Sequence, residues 1–248
     1  MDAVGWLVTA VAVLLTGISK AGLGGALGGL AVPLMALWIS PRDAVAVMLP
    51  ILMVMDVVGL RVWWGKADLV ALKVLIPGAL LGIVIGTLTF EWFSEDMVKL
   101  IVGVIAIVFA LNRLLRKGAA QTPTSAQPRL VLGALCGVGA GFTSTLAHNG
   151  GPPLMAYLLS RTMSKEAFVA TSVFFFLTIN FVKLPFYLGI GLFRSDTLWM
   201  SLVLMPLIPV GVWLGIRLVH RIPERPFFLF ATWAMGLSGV MLVWTALG

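Results

Sequence analysis

Two glycine-rich, proline-ended stretches in one apolar chain constrain the fold more than any other feature. The first is Gly22-Leu-Gly-Gly-Ala-Leu-Gly-Gly-Leu-Ala-Val-Pro33-Leu-Met-Ala36. The second is His148-Asn-Gly-Gly-Pro-Pro153-Leu-Met-Ala156. Both end on Pro-Leu-Met-Ala, 120 residues apart. Glycine loses the most entropy on ordering and proline removes a backbone donor, so both stretches break helices. A bilayer accepts such backbone only where protein buries it or where it lines a cavity. Matched breaks in the two halves of a chain point to a transporter's substrate site.

That argument needs the chain to lie in a membrane, and composition supplies this. Of 248 residues, 60% are hydrophobic and only 11% charged, against about 25% charged in a soluble domain. Apolar runs of the length that crosses a bilayer, about 20 residues, recur throughout. Trp38, Trp63, Trp64, Trp92 and Trp199 sit near the ends of these runs, as an interfacial belt does. The net charge of +7 is then a loop property set by the positive-inside rule, not a sign of nucleic-acid binding. The single cysteine, Cys136, excludes an internal disulfide and a multi-cysteine metal site. No cofactor is implied. Residues 4–19 lack a basic leader and a small-residue cleavage site, and read as a retained helix rather than a signal peptide.

In chain order, a short helix over 4–19 stops near Gly17-Ile-Ser-Lys20, and a second short piece follows the glycines to Ile39. Ser40 caps a helix that opens on Pro41 and runs to about Trp64. Spans follow at 69–90 and 97–115, separated by an acidic turn at 91–96 with Ser94 as cap. Residues 116–128 form a polar linker. Beyond it, 130–147 matches the first helix, 152–160 the second short piece, and Ser164-Lys-Glu-Ala167 the start of the next span at 166–190. Pro77, Gly82 and Gly86 match Pro206, Gly211 and Gly215 at a constant offset of 129. The expected fold is an all-α integral membrane protein of two inverted repeats, each a broken-helix hairpin plus three transmembrane helices. Residues 1–115 make the first repeat, 116–128 a cytoplasmic linker and 129–248 the second repeat.

Orientation comes from the basic residues. With the linker cytoplasmic and 130–160 a hairpin that returns to its own side, twelve basic residues lie inside and four outside, with Lys20 in the membrane. Both termini are then non-cytoplasmic in a multi-pass protein of the cell inner membrane. An odd number of crossings over 130–160 moves the later basic clusters outside, against the rule.

These residues resemble the sulfite exporter TauE/SafE family. Gly22-Leu-Gly-Gly…Val-Pro33-Leu followed by Ser-Pro-Arg-Asp-Ala-Val-Ala46 resembles the family's glycine-rich segment and next helix start. Gly-Phe-Thr-Ser-Thr…Gly150-Gly-Pro-Pro-Leu154 followed by Ser-Lys-Glu-Ala167 resembles its other copy. The resemblance covers essentially the whole chain and implies export of small anions, chiefly sulfite and organosulfonates.

An anion in a bilayer is met by helix ends, whose N-termini carry about +0.5 charge. Gly22, Gly24 and Gly25 allow close backbone approach in the first copy. In the second, Asn149 is a natural N-cap, Gly150 and Gly151 permit approach, and Pro152 or Pro153 opens the next helix. The competing reading is small-residue helix packing. Lys20, a charge at depth, is functional by default, with snorkelling as its alternative. Of Ser19, Thr143, Ser144 and Thr145, each is as apt to bond an i−4 carbonyl as a ligand; Ser144 is the hydroxyl taken as substrate-binding. His148 contacts substrate or relays a proton, while His220 is solvated in a basic loop. Asp56 and Asn180 interrupt apolar spans at nearly equivalent repeat positions. Asp56 couples a proton or neutralises Arg61 or a lysine, and Asn180 binds the oxyanion with an uncharged amide. Lys183 shares the Asn180 face and snorkels outward, with Pro185 ending or kinking its helix.

The function expected is secondary transport, in the export direction, of a small anion such as sulfite, an organosulfonate or a related organic acid. It proceeds by alternating access, with the substrate at the two breaks near the midplane. Two histidines and no acidic cluster leave little for a membrane enzyme, and a scaffold subunit leaves a lysine in the membrane unexplained. The partners expected are the small anion and the lipid bilayer; a homo-oligomer is compatible with the sequence.

Overall fold

In the computed structural model the described residues are 2–25, 28, 31–89, 95–115 and 129–247. They form an all-α protein without strands among them. The first half contains α1 (Ala3–Leu23), α2 (Ala31–Met35), α3 (Pro41–Trp63), α4 (Leu69–Leu88) and α5 (Glu95–Leu115). The second contains α6 (Leu130–Ala147), α7 (Gly151–Leu158), α8 (Lys165–Gly189), α9 (Ser195–Leu204), α10 (Leu207–Arg221) and α11 (Glu224–Leu247). The expected acidic turn with Ser94 and the linker at 116–128 fall on residues outside this description.

Boundaries follow local chemistry. Ser40 accepts from the Asp43 amide with Pro41 in the first turn, and Ser164 accepts from the Ala167 amide at the corresponding point of the second half. Each hydroxyl satisfies a helix-start donor. Asp68 does the same for α4 through the Ala71 amide. One expectation is corrected here. Helix α1 passes through Gly17 and Lys20 to Leu23, because Gly17 abuts the Gly211 backbone and tertiary packing outweighs its low propensity. Of the two alternatives for Pro185, ending the helix is excluded, since it lies inside α8, which continues to Gly189. The third long segment of the second half breaks at Pro206, where α9 and α10 meet at 49°.

Among the described residues six helices are long and apolar enough to cross a membrane, and a seventh span is added if α9 and α10 form one bent span. Their outer faces are apolar, with Leu7, Leu81, Leu135, Trp199 and Leu237 all exposed, while Lys20, Asp56, His148, Asn149, Asn180 and Lys183 are buried. That inverts the water-soluble pattern and matches lipid outside with polar groups inside. Of the expected aromatic belt, Trp64 and Trp199 are exposed, but Trp63 is buried and stacks on the exposed His220 at 5.7 Å.

Close glycine contacts set the helix order. Alongside α10, α1 runs in the same direction, Gly17 against Gly211 and Gly22 against Gly215. In the same way α6 follows α4, Gly78 and Gly82 facing the 134–142 backbone, Gly137 and Gly141 facing Leu75 and Ala79. A Cβ on Gly82 or Gly141 comes within 2.1 Å of the Val138 or Ala79 carbonyl oxygen, so only glycine permits this approach. Helix α3 packs on α8, and α5 on α11. Helix α7 returns antiparallel to α6, with Pro153 by Gly139 and Tyr157 by Gly133.

Polar contacts tie the ends. At one end Arg161 holds Asp68 at 2.8 Å, the Asp68 amide donates to Thr171, and Lys165 donates to the Val219 and Ile222 carbonyls. The starts of α4 and α8 and the end of α10 are thus together. At the other end Arg194, before α9, lies 3.9 Å from Asp43 at the start of α3.

Candidate anion site

Both breaks begin with a left-handed residue. Helix α1 ends at Gly24 (φ 63°) followed by Gly25 (φ 85°), and α6 ends at His148 (φ 50°). Glycine takes this conformation freely; for a non-glycine it is uncommon, with histidine among the enriched exceptions. Histidine is held there by its ring. Nε2 lies 2.9 Å from the Val45 carbonyl of α3, and Nδ1 lies 3.0 Å from Lys183 Nζ. A carbonyl only accepts, so Nε2 carries the proton and Nδ1 faces the lysine.

Lys183 is fully buried, which corrects the expectation that it snorkels outward. Its ammonium meets the Ser144 carbonyl at 3.0 Å, Ser144 Oγ at 2.9 Å and His148 Nδ1. Three donors face three acceptors. No carboxylate pairs with it among the described residues. The residue was passed over because spacing alone puts it on the Asn180 face without saying whether that face meets lipid or protein.

Lys20, in the last turn of α1, pairs with Asp56 Oδ1 at 2.7 Å and lies 4.9 Å from the Phe176 ring centre. Asp56 Oδ2 accepts from Asn180 Nδ2 at 2.7 Å. Of the two alternatives for Asp56, the geometry fits neutralisation of a lysine, and that lysine is Lys20. Asp56 and Asn180 lie 124 residues apart and touch where α3 packs on α8. Asn180 Oδ1 has no hydrogen-bond partner among the described residues.

Between these groups lies a small cleft lined by Lys20, Gly25, Gly28, Leu52, Ser144, His148, Gly151, Phe176 and Asn180. It therefore collects residues from both breaks. Leu52 and Phe176 were missed, although each stands one turn before Asp56 and Asn180 respectively, at matching repeat positions. Four residues singled out in the sequence for substrate contact are not among its lining, nor is Asp56. Gly22 serves the crossing with Gly215, Gly24 faces Phe168 and Ser172, and Gly150 faces the Ala140 carbonyl. Asn149 is buried with its carbonyl accepting from Thr143 Oγ1. It does not cap α7, which starts from Gly150 with no side-chain cap and Pro152 in the first turn. Thr143 and Thr145 bond i−4 carbonyls, leaving Ser144 as the hydroxyl turned to the charged network.

The arrangement suits a small anion. Lys20 and Asp56 cancel, and Lys183 leaves one positive charge one hydroxyl and one imidazole away from the cleft. Two buried cations against one carboxylate favour a negative guest in a medium that solvates charge poorly. Among the described residues no group of histidine, cysteine and carboxylate side chains is arranged to hold a metal.

The family model described as Sulfite exporter TauE/SafE matches residues 9–242. No curated protein and no solved structure matches.

Proposed function

We propose, from the premise that this chain belongs to the sulfite exporter TauE/SafE family, that it is a secondary exporter of a small anion working by alternating access. The family is one of membrane transporters of sulfite or related anions, not enzymes. The observation that carries the reading to this chain's residues is the cleft shared by both breaks, with one surplus buried cation beside it.

The packing supports two inverted halves. Helix α6 starts from the end where α8 starts, and α7 brings the chain back alongside it. Helix α1 runs with α10 and so starts at the end where α3 and α9 start. At 1.5 Å per residue α2 and α7 rise only about 8 and 12 Å, too little to cross a ~30 Å core. Because α3 starts at the end where α1 starts, and α8 at the end where α6 starts, each hairpin is read as returning to its own side, and the three longer segments that follow run in opposite senses in the two halves. First-half α4 grips second-half α6, and first-half α1 grips second-half α10, a reciprocal exchange. On this reading the basic residues place 116–128 in the cytoplasm and both termini outside the inner membrane.

Release of preloaded sulfite from proteoliposomes is the test. It should exceed release from protein-free vesicles and saturate with internal concentration. Equal rates in the two preparations contradict the proposal.

A further inference from the structure

The charges and an unmet amide oxygen at the cleft specify more than "an anion". Resting on the transporter reading above, we infer that the site is built for a monovalent oxyanion that carries one hydrogen-bond donor.

The charge part follows from every charged or titratable group that the described helices bring to the cleft. Helix α1 contributes Lys20, α3 contributes Asp56, the end of α6 contributes His148, and α8 contributes Lys183. Tyr187 is near, but its hydroxyl donates to the Thr145 carbonyl. Lys20 and Asp56 form a closed pair at 2.7 Å. The three contacts of Lys183 fit an ammonium, and imidazole Nδ1 then accepts, leaving His148 neutral. The balance is one positive charge. A monoanion is neutralised there. A dianion leaves a full negative charge without a partner in the membrane interior, which is costly.

The donor part follows from Asn180. Its Nδ2 must face Asp56, because a carboxylate accepts, so Oδ1 is fixed as the other end of the amide. That oxygen is buried without a partner, and Asn180 lines the cleft. An unmet buried acceptor is unfavourable and favours a guest that brings an O–H or N–H. Leu52 and Phe176 give the cleft an apolar wall beside these polar groups.

Calorimetric titration of the purified full-length protein with 2-hydroxyethanesulfonate, ethanesulfonate and sulfate separates these parts. Hydroxyethanesulfonate should bind about fivefold more tightly than ethanesulfonate, the worth of one neutral hydrogen bond. Both should bind more than tenfold more tightly than sulfate. Asn180→Leu should erase the difference between the two sulfonates, and the comparison in the parent protein stands even if that variant does not fold. Sulfate binding as tightly as either sulfonate overturns the charge assignment while the transporter reading survives. Equal affinity for the two sulfonates overturns the donor assignment. Binding of none of the three anions overturns this inference, and intact sulfite efflux in the same preparation then shows that the transporter reading has not failed with it.

Discussion

Asp56→Ala should be the most destructive single substitution near the cleft. Lys20 is 5% exposed and Asp56 1% exposed, and their atoms meet at 2.7 Å. Removing the carboxylate leaves the Lys20 ammonium without its ion partner, with Lys183 as a second cation in the same cluster. Breaking a buried pair from one side costs about 3–5 kcal/mol, because the remaining charge stays desolvated. Asn180 Nδ2 also loses its acceptor. Thermal unfolding in detergent should show a large drop for Asp56→Ala. The double variant Lys20→Met with Asp56→Ala should recover most of it, since no unpaired charge is left by that pair. Equal losses in the single and double variants would show that the pair is not what stabilises this region.

The second large effect concerns Lys183. Lys183→Met should lower anion affinity by about 10- to 150-fold, the ~1.5–3 kcal/mol worth of a charge-assisted interaction. Lys20 is the lysine that the sequence singles out for this role, and it does line the cleft. Its charge, however, is already opposed by Asp56, whereas Lys183 is not opposed by any carboxylate among the described residues. The larger loss is therefore assigned to Lys183. Methionine keeps the length and apolar stem of the side chain, so packing is largely preserved. It also frees Ser144 Oγ and His148 Nδ1, two groups that water entering the cleft can satisfy. Calorimetry with a sulfonate checks the ratio. An unchanged affinity would move the positive charge of the site elsewhere.

The sequence carried the fold further than it carried the site, for physical reasons. Helix starts at Ser40 and Ser164 were legible because capping is local chemistry within four residues. The extents 130–147 and 69–90 were legible within two residues, because apolar length and flanking polar groups mark a span. The end of α1 was not, since Gly17 reads as a breaker until Gly211 is known to lie against it. At the site, the repeat offset paired Asp56 with Asn180, and these two touch. Lys183 was misread because a helix that is apolar nearly all round does not reveal which side faces lipid. Gly22, Gly24 and Gly150 are a related case. Glycine in a membrane helix serves close packing and ligand approach equally well, and only the neighbouring backbone distinguishes them.

Alternating access is the central claim, and Gly28 offers the most direct view of it. This residue lines the cleft, and a side chain added there meets no atom of the described residues within 4 Å. Gly28→Cys in a Cys136→Ala background therefore adds a single thiol at the proposed substrate position with little disturbance. A membrane-impermeant thiol reagent is applied from one face of oriented vesicles and then from the other, with and without a sulfonate. The account predicts modification from both faces and slower modification from each when the anion is present. Modification from one face only, at a rate the anion does not change, would contradict it.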